Sequence, residues 1–359
     1  MNYKSEIFIN KKRIAKDAPT YFIADIAANH DGNLTRAKDL IYLAKEAGAD
    51  CAKFQHFLAD KIVSDYGFKN LKTGQSHQSN WKKSVFEIYD EYHCKREWTE
   101  ELVKTCKDAD IEFMTTPYDF DAVNELDKYV NAYKIGSGDI TWLDFVAKIS
   151  ALNKPVLLAC GASNLDEVKS AVKVITGINP QIVLMQCNTN YTASLENYKY
   201  INLNVLKTFA DLYPDMILGL SDHTSGHSTV LGAVTLGARV IEKHFTDDNS
   251  RTGPDHKFAM NPKTWKEMVE RTRELELALG DGIKRVEDNE KDTVIVQRRS
   301  VCLKHDAEKG QILTENDLEV LRPAPENSYL PYEIESLYGK ALNCDKKKGE
   351  SVYKGDVNA

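Results

Sequence analysis

Eight short apolar runs, each giving way to polar residues and most followed by a helical pattern, predict a (β/α)8 (TIM) barrel. A change of texture after Gly282 predicts a small β-rich domain behind it. A length of 359 residues suits that plan, since an ordinary domain takes about 150. The runs are YFIADIAA, DCAKFQHF, IEFMTTPY, NAYKIGSG, KPVLLACG, QIVLMQCN, MILGLSDH and ARVIEKHF. They look like parallel strands buried on both faces. A doubly wound open sheet is the competing architecture, but no GxGxxG follows the first run.

Taken in order, the first run holds Asp25 and ends on Asn29, His30 and Asp31. A carboxylate inside a buried strand is costly without a partner. Behind it, LTRAKDLIYLAKEAGAD sets Leu40, Leu43, Ala44 and Ala47 on one helical stripe. The interval from Phe57 to Ile111 is too long for a plain crossover. Within it KTGQSHQSNWKK reads as an exposed loop over the barrel mouth, before helices in SVFEIYDEYH and EWTEELVKTCKDAD. Further on, NLDEVKSAVKVITG reads as a helix with Asn164 as N-cap and Gly177 just past its end. STVLGAVTLGA is another helix. KRVEDNEKDTVIVQ is a charged linker. The expected organisation is therefore a barrel over 1–284, a linker over 285–297 and a β-rich domain over 298–359. So small a domain has a marginal core and is expected to dock on something.

Hydrophobic residues make up 42% of the chain, enough for a large core. A formal net charge of −7 argues against a nucleic-acid partner without excluding a local basic pocket. Seven scattered cysteines, with no CxxC, read as reduced thiols. The stretch MNYKSEIFINKKR lacks the apolar core of a signal peptide, and no run approaches the roughly 18 apolar residues of a membrane span. The expectation is a soluble, cytoplasmic protein with neither a nucleic-acid nor a membrane partner.

Barrel enzymes carry their chemistry at the C-terminal ends of the strands. Polar residues crowd there: Asp25, Asn29 and His30; Lys53 and Gln55; Thr115 and Thr116; Lys134, Ser137 and Asp139; Cys160. The last three strands add Gln186, Asn188, Thr189 and Tyr191; Ser221, Asp222 and His223; and Glu242, Lys243 and His244. Two subsets stand out. His223 and His244 end neighbouring strands and suit a divalent metal with open positions, against a reading as two hydrogen-bonded core histidines. Lys53, Lys134, Thr116, Ser137 and Ser221 suit an anion, most naturally a phosphate. The turn IGSGD could add backbone N–H groups. The alternatives are a structural lysine–carboxylate ion pair, or a lone lysine forming a Schiff base. Asp25 and Glu242 are the candidate catalytic carboxylates. His30 could be a loop cap or part of the site; His227 and His256 read as loop residues.

The combination NHDG, AKFQ, TTP, YKIGSGD, GLSDHT, EKHFTDD, GPDH and LRP resembles the sialic acid synthase family over nearly the whole chain, from about Tyr21 to Asp356. The resemblance implies condensation of phosphoenolpyruvate with an N-acetylated hexosamine to a nine-carbon 2-keto acid. It makes the C-terminal domain similar to the family's antifreeze-like (SAF) domain. It implies a divalent metal, usually Mn2+, with Mg2+ or Co2+ as alternatives, on His223 and His244. Phosphoenolpyruvate falls to Lys53, Thr116, Lys134, Ser137, Ser221 and Thr189. The sugar falls to Gln55, Asn80, Tyr191 and Asp255, and to Arg322, brought by the SAF domain of a partner subunit in a domain-swapped homodimer. The chain departs from the family pattern in having Asp25 and Asp139 where Glu is common. Ala159 and Cys160 stand for a Ser–Thr pair, and TNYT lacks the usual proline. Two other outcomes are open: condensation with a different aldose, as in 3-deoxy-ulosonate synthases, or a homologue that binds ligands without turnover.

Overall fold

Eight parallel strands close into a barrel, and each falls on one of the eight apolar runs. The computed structural model describes residues 2–72, 78 and 81–358. The barrel strands are β3 (Tyr21–Asp25), β4 (Cys51–His56), β5 (Glu112–Pro117), β6 (Tyr133–Ile135), β7 (Val156–Ala159), β8 (Ile182–Cys187), β9 (Ile217–Asp222) and β10 (Ala238–His244). β10 pairs with β3 and closes the ring.

Side chains alternate across a strand, and this alternation sorts the barrel into two shells. Tyr21, Ile23, Cys51, Met114, Ala132, Leu157, Val183, Met185, Ile217 and Val240 form the inner apolar cluster. Their neighbours Phe22, Ala52, Phe54, Phe113, Leu184, Leu218 and Ile241 pack outward under the helices.

An element with no sequence expectation closes the N-terminal end of the barrel. Strands β1 (Glu6–Ile9) and β2 (Lys12–Ala15) form a hairpin with Ile9 opposite Lys12. Its turn places Asn10 at φ 52, which asparagine tolerates. Ile7, Ile9 and Ile14 insert into the inner cluster, so the barrel is plugged below and open only above.

Helix α1 (Leu34–Glu46) buries Ala37, Leu40, Ile41 and Ala44 and is capped by Asn33. Among the described residues, the long interval after β4 opens with α2 (Ala59–Ile62), α3 (Asp65–Asn70) and α4 (Val85–Tyr92), the last with a Ser84–Glu87 capping box. α5 (Thr99–Asp108), α6 (Phe120–Leu126) and α7 (Leu143–Ser150) follow. α8 (Leu165–Ile178) starts at a capping box made by Asn164 with Glu167. It ends two residues later than expected: Gly177 lies inside its last turn. α9 (Val205–Leu212), α10 (Ser228–Thr235) and α11 (Pro262–Leu279) complete the ring. Among the described residues, no helix is long and apolar enough to cross a membrane. All seven cysteines are free thiols.

The chain divides after Gly280 into two compact units. In the second, the stretch expected as linker carries a short helix, α12 (Lys291–Gln297). Antiparallel strands β11 (Ser300–Leu303) and β12 (Leu318–Leu321) follow, over a small core of Val301, Leu303, Leu313, Leu318, Leu337, Leu342 and Val352. Arg322 follows β12 and is exposed.

Candidate active site

The alternation that makes the inner apolar cluster also aims the site. Two residues above Ile23, Cys51, Met114, Ala132, Met185 and Val240 stand Asp25, Lys53, Thr116, Lys134, Cys187 and Glu242; Ser221 lies two above Gly219. Apolar layers therefore give way to a polar layer at the C-terminal end of the barrel. All seven side chains are buried.

Asp25 has a partner, and it belongs to the protein. Lys53 Nζ donates to Asp25 Oδ2 at 2.7 Å, Gln55 Nε2 donates to the same oxygen at 2.9 Å, and the Ala27 amide donates to Oδ1 at 3.1 Å. The carboxylate that the sequence places inside a buried strand thus has the partner its burial requires. Register is the cause, since Asp25 lies directly beside Lys53 on one side and His244 on the other. Burial pushes the Asp25 carboxyl up, but the attraction of Lys53 and the hydrogen bonds outweigh it and hold the group below its ordinary range.

A second pair lies alongside. Lys134 Nζ is 3.2 Å from Glu242 Oε1, and Ser221 Oγ donates to the same oxygen at 3.1 Å. Glu242 Oε2 is buried with no hydrogen-bond partner among the described residues. Lys53 also reaches Thr116 Oγ1 at 3.2 Å. Ser137 Oγ accepts the Gly161 amide at 2.9 Å. A Cβ at Gly161 would lie 2.5 Å from Thr189 Cγ2 and 3.0 Å from Ser137 Oγ, so only glycine lets these strand ends close together. The phosphate-type subset thus converges, and both lysines are matched one for one by carboxylates.

The histidine subset converges as well. The His223 and His244 ring centroids are 5.3 Å apart. His223 Nδ1 donates to the Asn188 carbonyl at 2.8 Å; burial pulls its pKa down, but Cys187 and this hydrogen bond outweigh burial and hold it above its ordinary value. Burial holds the His244 pKa down to about 3, so the ring is neutral, and its buried Nδ1 has no hydrogen-bond partner among the described residues. The neutral His244, with an available nitrogen beside His223, suits a divalent ion. Among the described residues, no group of three or more His, Cys, Asp or Glu gathers at ligand distance. A metal here would have two protein ligands and draw the rest from substrate and water.

Tyr191 packs on His223 with centroids 4.3 Å apart, and Phe258 lies 4.9 Å from His244. Asp255 Oδ2 accepts the Ala28 amide at 3.2 Å and lies 3.6 Å from His244 Nδ1. Beside them opens a cavity of about 160 Å3, lined in part by Gln55, Tyr191, His244 and Asp255. Phe57, Tyr89 and Tyr118, which no sequence motif singled out, line it too. Asn80 lies outside the described residues.

Other members of the expected polar ring face away. Asp222 and Lys243 alternate with the inner row and form a fully buried ion pair in the outer shell of the wall. Lys243 also donates to the Thr224 carbonyl at 2.6 Å, and Asp222 accepts from Thr229 at 2.7 Å, so the pair fixes the turn that presents His223. His30 is structural: its Nδ1 accepts the Gly32 amide at 3.1 Å, and its ring meets Trp98 edge-on. His256 is not a free loop residue. It is buried, with Nε2 2.8 Å from Asp31 Oδ1 and Nδ1 2.7 Å from Thr246 Oγ1.

Buried charges and a close histidine pair at the strand C-termini define a barrel enzyme, working where this fold places its chemistry. Comparison with known proteins gives the family. Residues 40–284 match the NeuB family and residues 298–358 the SAF domain, and the chain belongs to the NeuB family. It is a carbon–carbon bond-forming transferase of the sialic acid synthase type. It is 35% identical to the N,N'-diacetyllegionaminic acid synthase of Campylobacter jejuni, over 93% of this chain and 98% of that one. It is 31% identical to the human N-acetylneuraminate-9-phosphate synthase, over 93% and 91%. Among solved structures, the spore coat polysaccharide biosynthesis protein SpsE of Bacillus subtilis superposes with a TM-score of 0.65 at 29% identity, covering 99% of both chains.

Proposed function

We propose that the enzyme condenses phosphoenolpyruvate with an N-acetylated hexosamine, giving a sialic-acid-type nonulosonic acid and inorganic phosphate. The observation that carries this reading is the meeting of the Lys53, Lys134, Thr116, Ser137 and Ser221 set with the His223–His244 pair at one barrel mouth. The names of the relatives support the sugar-acid product. The SAF match weighs against a simple 3-deoxy-ulosonate synthase.

In this reading phosphoenolpyruvate takes Lys53 and Lys134 from their carboxylates, with the three hydroxyls as further donors and Thr189 beside them. Gln55, Tyr191 and Asp255 hold the sugar, together with Asn80 and with Arg322 from the partner subunit of a domain-swapped homodimer. A divalent cation, Mn2+ before Mg2+ or Co2+, would be held by His223 and His244 and would polarise the sugar aldehyde. C3 of phosphoenolpyruvate forms the new bond to the aldehyde carbon, and the aldehyde oxygen ends as a hydroxyl. Water adds at C2, the bond from C2 to the phosphate oxygen breaks, and a ketone remains. Asp25 receives one proton of that water, which ends on the aldehyde oxygen, and the proton of the C2 hydroxyl leaves with the phosphate. The low proton affinity of Asp25 comes from Lys53, so transfer of Lys53 to the phosphate leaves burial dominant and makes the carboxylate a better base. Glu242, released from Lys134 in the same way, is the second carboxylate of the cycle. We assign the enzyme to the cytoplasm, with its thiols reduced.

Phosphate release tests the reading. It is expected only when phosphoenolpyruvate, Mn2+ and a suitable aldose are all present. Silence across N-acetylmannosamine, diacetamido hexoses and their 6-phosphates would overturn it, and arabinose or erythrose phosphate as best substrate would move the enzyme to the 3-deoxy-ulosonate class.

A further inference from the structure

Four rings close on one another at the barrel mouth. Tyr191 comes from the loop after β8, His223 from just past β9, His244 from the last position of β10, and Phe258 from the loop after β10. Every pair among them is in contact, with ring centroids 4.3 to 6.1 Å apart. Phe258 carries no polar group, is fully buried and is not among the described residues lining the cavity beside His244. Its ring meets those of His223 and His244 at 70° and 63°, so one rigid plane spans both imidazoles. The chain returns to β10 to place it. The Met260 amide donates to the His244 carbonyl at 2.8 Å, and the Thr246 amide donates to the Met260 carbonyl at 2.9 Å. Asn249 Nδ2 donates to the His256 and Ala259 carbonyls at 2.8 and 2.7 Å. Phe258 is thereby tied to the strand end that carries His244.

The second side-chain torsion of histidine is broad, so the plane of its ring is set by what touches it. A metal-binding imidazole ordinarily takes that setting from a hydrogen bond at its other nitrogen. His223 has such a bond, to the Asn188 carbonyl. His244 Nδ1 has none among the described residues, and Asp255 and Asp25 stand 3.6 and 3.7 Å from its two nitrogens, beyond hydrogen-bond reach. Aromatic packing is left to hold the plane, and edge-to-face contacts have preferred angles that a flexible aliphatic chain lacks. Resting on the metal assignment proposed above, we infer that Phe258 is a positioning residue: its ring holds His223 and His244 at the mutual angle a shared divalent cation requires, without itself touching cation or substrate.

Calorimetric titration of the full chain with Mn2+, in the absence of substrates, tests this. Phe258→Leu leaves an apolar side chain in place but removes the ring, and should weaken Mn2+ binding about tenfold or more. Phe245→Leu is the control. Phe245 follows His244 directly and is also fully buried, but packs outward on Trp265 with centroids 5.5 Å apart. It should lower the melting temperature as Phe258→Leu does, yet keep Mn2+ affinity within about twofold of the parent's. In turnover, raising Mn2+ should recover most of kcat in Phe258→Leu, with the KM of phosphoenolpyruvate and of the sugar within about twofold of the parent's. Equal Mn2+ affinity in the parent and Phe258→Leu, an equal loss in Phe245→Leu, or a change confined to the sugar KM overturns the inference and leaves the metal assignment standing. Phe258→Met, whose unbranched chain fills irregular space without a plane, decides the same question if the leucine enzyme does not fold. No Mn2+ binding by the parent overturns the metal assignment and the inference together.

Discussion

Lys53 Nζ and Asp25 Oδ2 lie 2.7 Å apart at the floor of the active site, both buried, on adjacent strands in direct register. Removing one member of such a pair strands the other's charge, at a cost of about 3–5 kcal/mol. Asp25→Ala is therefore expected to lose stability as well as at least a hundredfold in turnover. The double variant Asp25→Asn, Lys53→Met separates the effects: unfolding stability should recover while activity stays lost. Asp25→Glu, which restores the length common in the family, should keep measurable turnover. Normal turnover in Asp25→Ala would remove this residue from the chemistry.

His223 and His244 differ in what holds them. His223 is oriented by the Asn188 carbonyl and by the turn that the Asp222–Lys243 pair fixes, whereas His244 Nδ1 has no hydrogen-bond partner among the described residues. Alanine at either position should abolish Mn2+-dependent activity and weaken Mn2+ binding by tenfold or more in calorimetry, with the melting temperature of the metal-free protein little changed. Asp222→Ala should act indirectly: it leaves Lys243 buried and unpaired and so should cost about 3–5 kcal/mol. Full activity in either histidine variant would exclude metal ligation.

The eight strands could be read from the sequence because a strand buried on both faces is an unbroken apolar run. The polar ring at their ends was visible for the same reason: charges inside such runs demand explanation. Which charges face inward was not visible. Glu242 and Lys243 are neighbours, and only the phase of the alternation sends one to the site and the other to the wall. The partner of Asp25 depended on strand register, which no local pattern encodes. The hairpin at Glu6–Ala15 escaped because its strands have four residues each and mix charged with apolar side chains. His256 looked like a loop residue because its partner, Asp31, lies 225 positions away.

Asp139 stands near the site with a carboxyl that burial pushes up to about 6. An unfolded aspartate titrates near 3.9. Between about pH 4 and 6 the folded state thus holds more of this proton than the unfolded state does. The stability gained is complete below about pH 4 and is lost as pH rises through about 6. Asp139→Asn should match the parent near pH 4 and exceed it by about 1–2 kcal/mol above pH 7, after allowance for partial exposure. Thermal unfolding measured from pH 4 to 8 decides it; a difference that does not grow with pH would contradict the assignment.

Arg322 is exposed on the second unit, and the proposed function gives it to the sugar of a partner subunit. Arg322→Ala should raise the sugar KM about tenfold or more while leaving the phosphoenolpyruvate KM within about twofold, as loss of one charged hydrogen bond predicts. Mixing Arg322→Ala with a barrel variant such as His244→Ala should restore part of the activity if the arginine acts across subunits. An unchanged sugar KM would mean that this arginine does not reach the site.

Asp255 offers the last test, because its place is set by its neighbour. Asp31 binds His256 at 2.8 Å and Arg251 at 2.6 and 2.9 Å, tying the loop after β3 to the loop after β10. A Cβ at Gly253 would lie 2.6 Å from His256 Cδ2, so the loop closes tightly on the ring. Between these ties Asp255 is held at the Ala28 amide and beside His244. His256→Ala should let Asp255 drift and raise the sugar KM several-fold, with the phosphoenolpyruvate KM unchanged; a drift of about 1 Å is enough to matter. His256→Gln, which can still donate to Asp31, should recover most of the loss. Equal changes in both KM values, or no rescue by glutamine, would reduce the strap to a general stabilising role.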